Sequence, residues 1–137
     1  MKYTWESDPP WDYTLVMWDG DERVGYISIQ PNCSPQNLQY WAQEAFEDAC
    51  WRLGIDPDIA QVVDVCLQEK YRGEGYGVEL YARMARRAAE INHVIVPSYV
   101  FRDVDTSTSE EVRRVWGSDG LKDQVEVVEG IIAWGTT

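Results

Sequence analysis

The chain has 137 residues, of which 45% are hydrophobic, with 12 basic and 24 acidic side chains and a formal net charge of −12. That length suits one domain over residues 1–137 and is too short for two with separate cores. The acid excess argues against DNA or RNA as a partner, because phosphate contacts need surplus Lys and Arg. No stretch approaches the ~18 apolar residues of a membrane span, and Met1–Asp12 lacks the basic-then-apolar pattern of a signal peptide, so a cytoplasmic protein without a membrane partner is expected.

Tyr13–Trp18 is β-prone, Asp19-Gly20-Asp21-Glu22 supplies a turn, and Arg23–Gln30 alternates around Val24, Tyr26 or Ile27, and Ile29, which predicts a hairpin. Ser34 followed by Pro35 suits an N-cap and first helical position. From there Leu38, Trp41, Ala42, Ala45, Phe46, Ala49, Cys50 and Leu53 recur at helical spacing as far as Gly54. A helix is therefore predicted over 35–53, with its aromatic stripe packed into the core. The Val-rich run 59–67 reads as a buried strand. Val78, Leu80, Tyr81, Met84, Ala85, Ala88 and Ile91 mark a second helix ending near Asn92. Residues 94–96 form a short buried strand closed by Pro97, and 98–108 a loop. Ser107 with Glu110, or Thr108 with Glu111, could cap a short third helix that carries Val112, Val115 and Trp116 and stops near Gly120. Residues 124–134 form a last strand, or two short strands meeting at Gly130. This order makes an α/β or α+β domain with helices packed on a central sheet.

Cys33, Cys50 and Cys66 are odd in number and include no Cys-x-x-Cys pair, so buried reduced thiols are expected in preference to a disulfide framework or zinc site. The single histidine, His93, reads as a partly exposed residue opening a strand, and no metal is expected. The chemistry concentrates at Arg72-Gly73-Glu74-Gly75-Tyr76-Gly77, between a strand and a helix. Glycines let backbone approach a ligand, and the first N–H groups of a helix lack internal partners while its dipole favours an anion. Five of the twelve basic residues (Lys70, Arg72, Arg83, Arg86, Arg87) cluster there. A pyrophosphate fits these features. A Walker loop does not, because Val78-Glu79 follows Gly77 where Lys-Ser or Lys-Thr is needed. A dinucleotide fingerprint would have Gly73 and Gly75 but Val78 as its third glycine.

With a hydrophobic strand before it and an apolar-faced helix after it, this turn resembles the acyl-CoA loop of the GNAT superfamily, the Gcn5-related N-acetyltransferases. Their Arg/Gln-x-x-Gly-x-Gly/Ala is matched by Arg72, Gly75 and Gly77. Val112–Leu121 stands where members often carry a short helix ending Tyr-x-x-x-Gly-Phe, and its Trp-x-Ser-Asp-Gly-Leu ending looks like that of short phage-type members. The resemblance covers roughly residues 62–121.

It implies a mixed central sheet flanked by helices, with splayed central strands. It also implies an N-acetyltransferase that moves an acetyl group from acetyl-CoA to a primary amine (a protein lysine, a protein N-terminus or a small amine) by direct attack. Backbone N–H groups of Arg72, Gly73, Glu74, Gly75, Tyr76 and Gly77 would then cradle the pyrophosphate, with Arg72, Lys70 or Arg83 meeting the phosphates. The strand edge at Cys66, Leu67 and Gln68 would bond the pantetheine arm as an added strand does. Ser109, at the place of a frequent family Asn, and Trp116 would lie along that arm. Asp64 is the candidate general base, or equally a structural acid. A backbone N–H near Leu67 would hold the carbonyl oxygen.

The family's general-acid Tyr is replaced by Trp116, whose indole is far too weak an acid. Ser118 or a water is left for the thiolate. This substitution motivates the alternative of an inactive acyl-CoA-binding protein, and the net charge that of an acidic protein-interaction module. The front of the chain also departs, with a hairpin and a long helix where the family has one strand and two helices before the hairpin. Trp5, Trp11 and Tyr13 there could line an acceptor cleft, or cover the sheet or a dimer contact. A lone C-terminal strand would leave an edge that a second copy could complete as a homodimer.

Overall fold

The computed structural model describes residues 1–7, 13–102 and 109–136. One sheet of seven strands organises them: β1 (Lys2–Glu6), β2 (Tyr13–Asp19), β3 (Glu22–Cys33), β4 (Asp58–Leu67), β5 (His93–Val96), β6 (Glu126–Val128) and β7 (Ile132–Trp134). Their spatial order is β1-β2-β3-β4-β5-β7-β6, with β4 and β5 parallel and the other neighbours antiparallel. The parallel pair needs a crossover. Helix α2 (Tyr76–Glu90) supplies it and packs on one face through Leu80, Tyr81, Met84 and Ala85. Helix α1 (Tyr40–Leu53) covers part of the other face through Ala42, Phe46 and Ala49, against Ile59, Val94 and Val96. Helix α3 (Glu110–Trp116) and the single turn α4 (Asp119–Lys122) lie beside α2. This is the mixed α+β sheet that the resemblance implies.

The predicted hairpin is β2–β3, turned at Gly20 with φ of 61°. The front of the chain is less divergent than the sequence suggests. β1 is present and pairs with β2 from Lys2↔Trp18 to Glu6↔Thr14. The helix predicted from Pro35 starts at Tyr40. Ser34 caps a 3-10 turn at Pro35–Asn37, after which Gln39 N–H donates to Val100 O at 2.7 Å and Arg102 N–H to Asn37 O at 2.9 Å. Those bonds tie the backbone to residues 100–102 and interrupt the helix. Its predicted stop holds, since Gly54 adopts φ of 67° and its N–H bonds back into the last turn.

The C-terminal segment is two short antiparallel strands with Gly130 at φ of 68° between them, the second of the two alternatives read from the sequence, so the lone terminal strand is corrected. The third helix stops at Trp116, short of Gly120, because Ser118 caps the new turn α4. Ser109 is the N-cap of α3, and the proposed caps Ser107 and Thr108, like Trp11, lie outside the described residues. His93 opens β5 as predicted but is buried, its Nδ1 against Ile91 O at 2.8 Å. Of the cysteines only Cys50 is buried; Cys33 is half-buried and Cys66 exposed.

Two irregularities shape the centre. β4 and β5 pair only over Asp58↔His93 to Gln61↔Val96, after which β5 ends at Pro97 while β4 runs on to Leu67. Among the described residues, no strand pairs with β4 on its β5 side along 62–67, the splay that the resemblance implies. In addition, Ser28 pairs with Asp64 but Ile29 with Val62, so Val63 is the extra residue of a bulge. The slip of one place lets Ala60, Val62, Val65 and Leu67 all join the core under α2, and Asp64 and Cys66 turn to the exposed side.

Candidate acyl-coenzyme A cleft

Beyond the point where β4 and β5 part, a cleft of about 510 Å³ opens between β4, the glycine turn, α2 and α3. Val65, Cys66 and Leu67 form its β4 wall, and Arg72, Gly73, Gly75 and Gly77 its mouth. Val78 and Tyr81 line it from α2. Ser109, Glu111, Val112, Arg114, Val115 and Ser118 close it from the far side.

The glycines answer to different demands. Gly73 and Gly75 have φ of 79° and 86°, which only Gly adopts at low cost. A Cβ on either would meet no protein atom within 4 Å, so the space before them is open. At Gly77 a Cβ would lie 3.3 Å from Val115 Cγ2, which makes this glycine the place where α3 leans on α2. Gly75 is the N-cap of α2 and offers no side-chain cap; the first helical bond runs from Glu79 N–H to Gly75 O at 3.1 Å. The N–H groups of Tyr76, Gly77 and Val78 are therefore left without helical partners. Such a mouth, at the positive end of a fifteen-residue helix, fits a diphosphate.

Of the cations expected to meet phosphates, Arg72 alone among Arg72, Lys70 and Arg83 lines the cleft. It spans it, donating from Nε to Leu67 O at 3.0 Å and pairing with Glu111 at 3.6 Å. Lys70 pairs with Glu22 at 3.6 Å, and Arg83 with Glu79 at 2.6 Å while its guanidinium covers Tyr3. Arg114 is a second cation in the lining that the sequence reading did not assign. Its position depends on how α3 folds back over α2, which no local motif encodes.

The other expected site residues divide. Gln68 is bound to β3, Nε2 to Arg23 O at 3.1 Å, and does not line the cleft; nor do Glu74 and Tyr76, whose part would be played by backbone. Ser109 lines it, with Oγ accepting from Val112 N–H at 3.3 Å. Ser118 lines it too, but its hydroxyl donates to Val115 O at 2.7 Å and accepts from Leu121 N–H at 3.2 Å, the bonds of a helix cap. Asp64 stands on the other side of β4 from Val65. Its carboxylate accepts from Tyr26 Oη at 2.7 Å, which pushes the Tyr26 phenol up to about 12.

Trp116 is 2% exposed and sits one layer behind the lining, its ring edge-on to Tyr81 at 5.5 Å and 71°. Edge-to-face pairs of this kind contribute about 0.5–1.5 kcal/mol. The indole N–H is nevertheless buried without an acceptor at hydrogen-bonding geometry, which costs about 1–3 kcal/mol. It lies close enough to the Tyr81 phenol to oppose the upward push that burial gives that group.

The sequence profile described as the Acetyltransferase (GNAT) family matches residues 1–103, and the chain belongs to that family. Among solved structures, the crystal structure of a point mutant of KacT is similar at 12% identity and a TM-score of 0.49, over 89% of this chain and 68% of that one. No curated protein matches. Among the described residues, no helix is long and apolar enough to cross a membrane.

Proposed function

We propose that this chain, acting as one domain, is an N-acetyltransferase that binds acetyl-CoA in the cleft and passes its acetyl group to a primary amine. The observation that carries the reading is that the unpaired edge of β4 and the unpartnered N–H groups of α2 open into the same cleft. One ligand can then bond a strand edge with an amide-rich arm and a helix mouth with a diphosphate. Arg72 and Arg114 stand in the lining of a chain of net charge −12, paired with Glu111 at 3.6 Å and Glu110 at 3.5 Å, exposed pairs that a phosphate can exchange for its own. The amine approaches from the exposed side of β4, where Asp64 takes its proton directly or through water. An acidic surface favours a cationic acceptor.

Incubation with acetyl-CoA and a panel of lysine peptides, peptides with free N-termini and polyamines, read by mass, tests this. A product heavier by one acetyl group, absent without protein, is expected. Trp116 favours a second reading, a coenzyme-binding protein without turnover, and coenzyme binding with no product from any amine would select it.

A further inference from the structure

We infer that Tyr81 delivers the proton to the departing coenzyme sulfur, with the buried indole N–H of Trp116 placed to hold the phenolate this leaves. The inference rests on the coenzyme reading above. Collapse of the acyl adduct breaks the C–S bond and puts the electron pair on sulfur, in a cleft walled by Val65, Leu67, Val78, Val112 and Val115. A thiolate gains little solvation there, so a proton must arrive as it forms.

Few groups in the lining can supply one. The Ser118 hydroxyl donates to Val115 O, and Ser109 is a helix cap. Arg72 is engaged with Leu67 O and Glu111, and Arg114 with Glu110. Glu111 is paired with Arg72, and Cys66 lies with Asp64 on the exposed side of β4. Tyr81 is one turn inside α2 from Gly77, buried in its body yet facing the cleft.

Trp116 gives the placement its point. Among the described residues its Nε1 is the buried side-chain N or O atom that lacks a partner. A donor kept idle beside a phenol is suited to an acceptor that exists only briefly, and a phenolate is such an acceptor. Burial raises the Tyr81 phenol, the indole opposes this, and Tyr99 adds to the rise. In balance, the amine nitrogen bonds to the carbonyl carbon and loses one proton to Asp64 or water. Sulfur leaves with the C–S electron pair and takes the Tyr81 proton, and Tyr81 recovers a proton from solvent.

Free CoA tests this without any acceptor amine. The ultraviolet absorbance of its thiolate is titrated in complexes with wild type, Tyr81→Phe and Trp116→Phe, with desulfo-CoA complexes as blanks. A phenol that donates to the thiolate stabilises it, so Tyr81→Phe should raise the bound thiol's titration by about one pH unit, a tenfold lower thiolate fraction at a given pH. Trp116→Phe should move it by less in the same direction, and carries the test if Tyr81→Phe does not fold. Binding with superimposable titrations in all complexes overturns the inference and leaves the coenzyme reading standing. No binding of CoA by wild type overturns both.

Discussion

Asp64 and Tyr26 face each other across β3 and β4 at 2.7 Å, on the side of the sheet away from α2. Two predictions belong to this pair. Asp64→Asn keeps the shape and removes the basicity, so kcat should fall about 10²–10⁴-fold while coenzyme binding persists; unchanged kcat in steady-state assays would assign the base elsewhere. Tyr26 has its folded pKa raised from 10.0 to about 12, chiefly by the bond to Asp64. A raised pKa means the folded state favours the protonated phenol. The stability it adds is fully present below pH ~10 and lost as pH rises through ~12. The gap in urea stability between wild type and Tyr26→Phe should be small, under about 1 kcal/mol for so accessible a bond, flat up to pH ~10 and closed by ~12; a gap independent of pH would contradict this. Asp64 was legible in the sequence as a lone acid in an apolar strand. Tyr26 as its partner was not, because strand register and the bulge at Val63 decide which side chains meet.

Helix α2 connects the cleft to the rest of the sheet. Beyond β7, Gly135 lies so close to it that a Cβ would sit 2.3 Å from Ala85 C and O and from Arg86 Cα. Backbone atoms of a helix cannot swing aside as a side chain can, so Gly135→Ala should cost about 1–3 kcal/mol. Thermal or urea unfolding reads this directly, and a change below about 0.5 kcal/mol would mean that the C-terminal segment moves away freely. Elements with a strong period were legible in extent: α1 and α2 follow their apolar spacing, and Gly54 ends α1 where the spacing stops, but of the aromatic stripe expected in the core Phe46 is buried while Trp41 is half exposed. β1 was not, because an edge strand with both faces partly exposed carries no clean alternation in Lys2–Glu6. The start of α1 was misplaced for a tertiary reason, since residues 37 and 39 bond to residues 100 and 102 and hold the backbone out of the helix.

At the scale of the molecule, the sheet brings together segments far apart in the chain, and the cleft exists only where they meet. Its mouth was legible because strand, glycines and helix are contiguous from Asp58 to Glu90. Its far wall was not, because Arg114, Val112 and Val115 arrive by the packing of α3 on α2, and Tyr81 read simply as core. The proposed activity requires the helix mouth to grip a diphosphate, and a melting curve with acetyl-CoA reads that grip. At ~100 times the Kd, linkage predicts about 2.7 kcal/mol of stabilisation, on the order of 10 °C for a chain of this size. Gly75→Glu places a carboxylate in the open space before α2 and should abolish the shift. No shift in wild type at millimolar acetyl-CoA, or an equal shift in Gly75→Glu, would contradict the account.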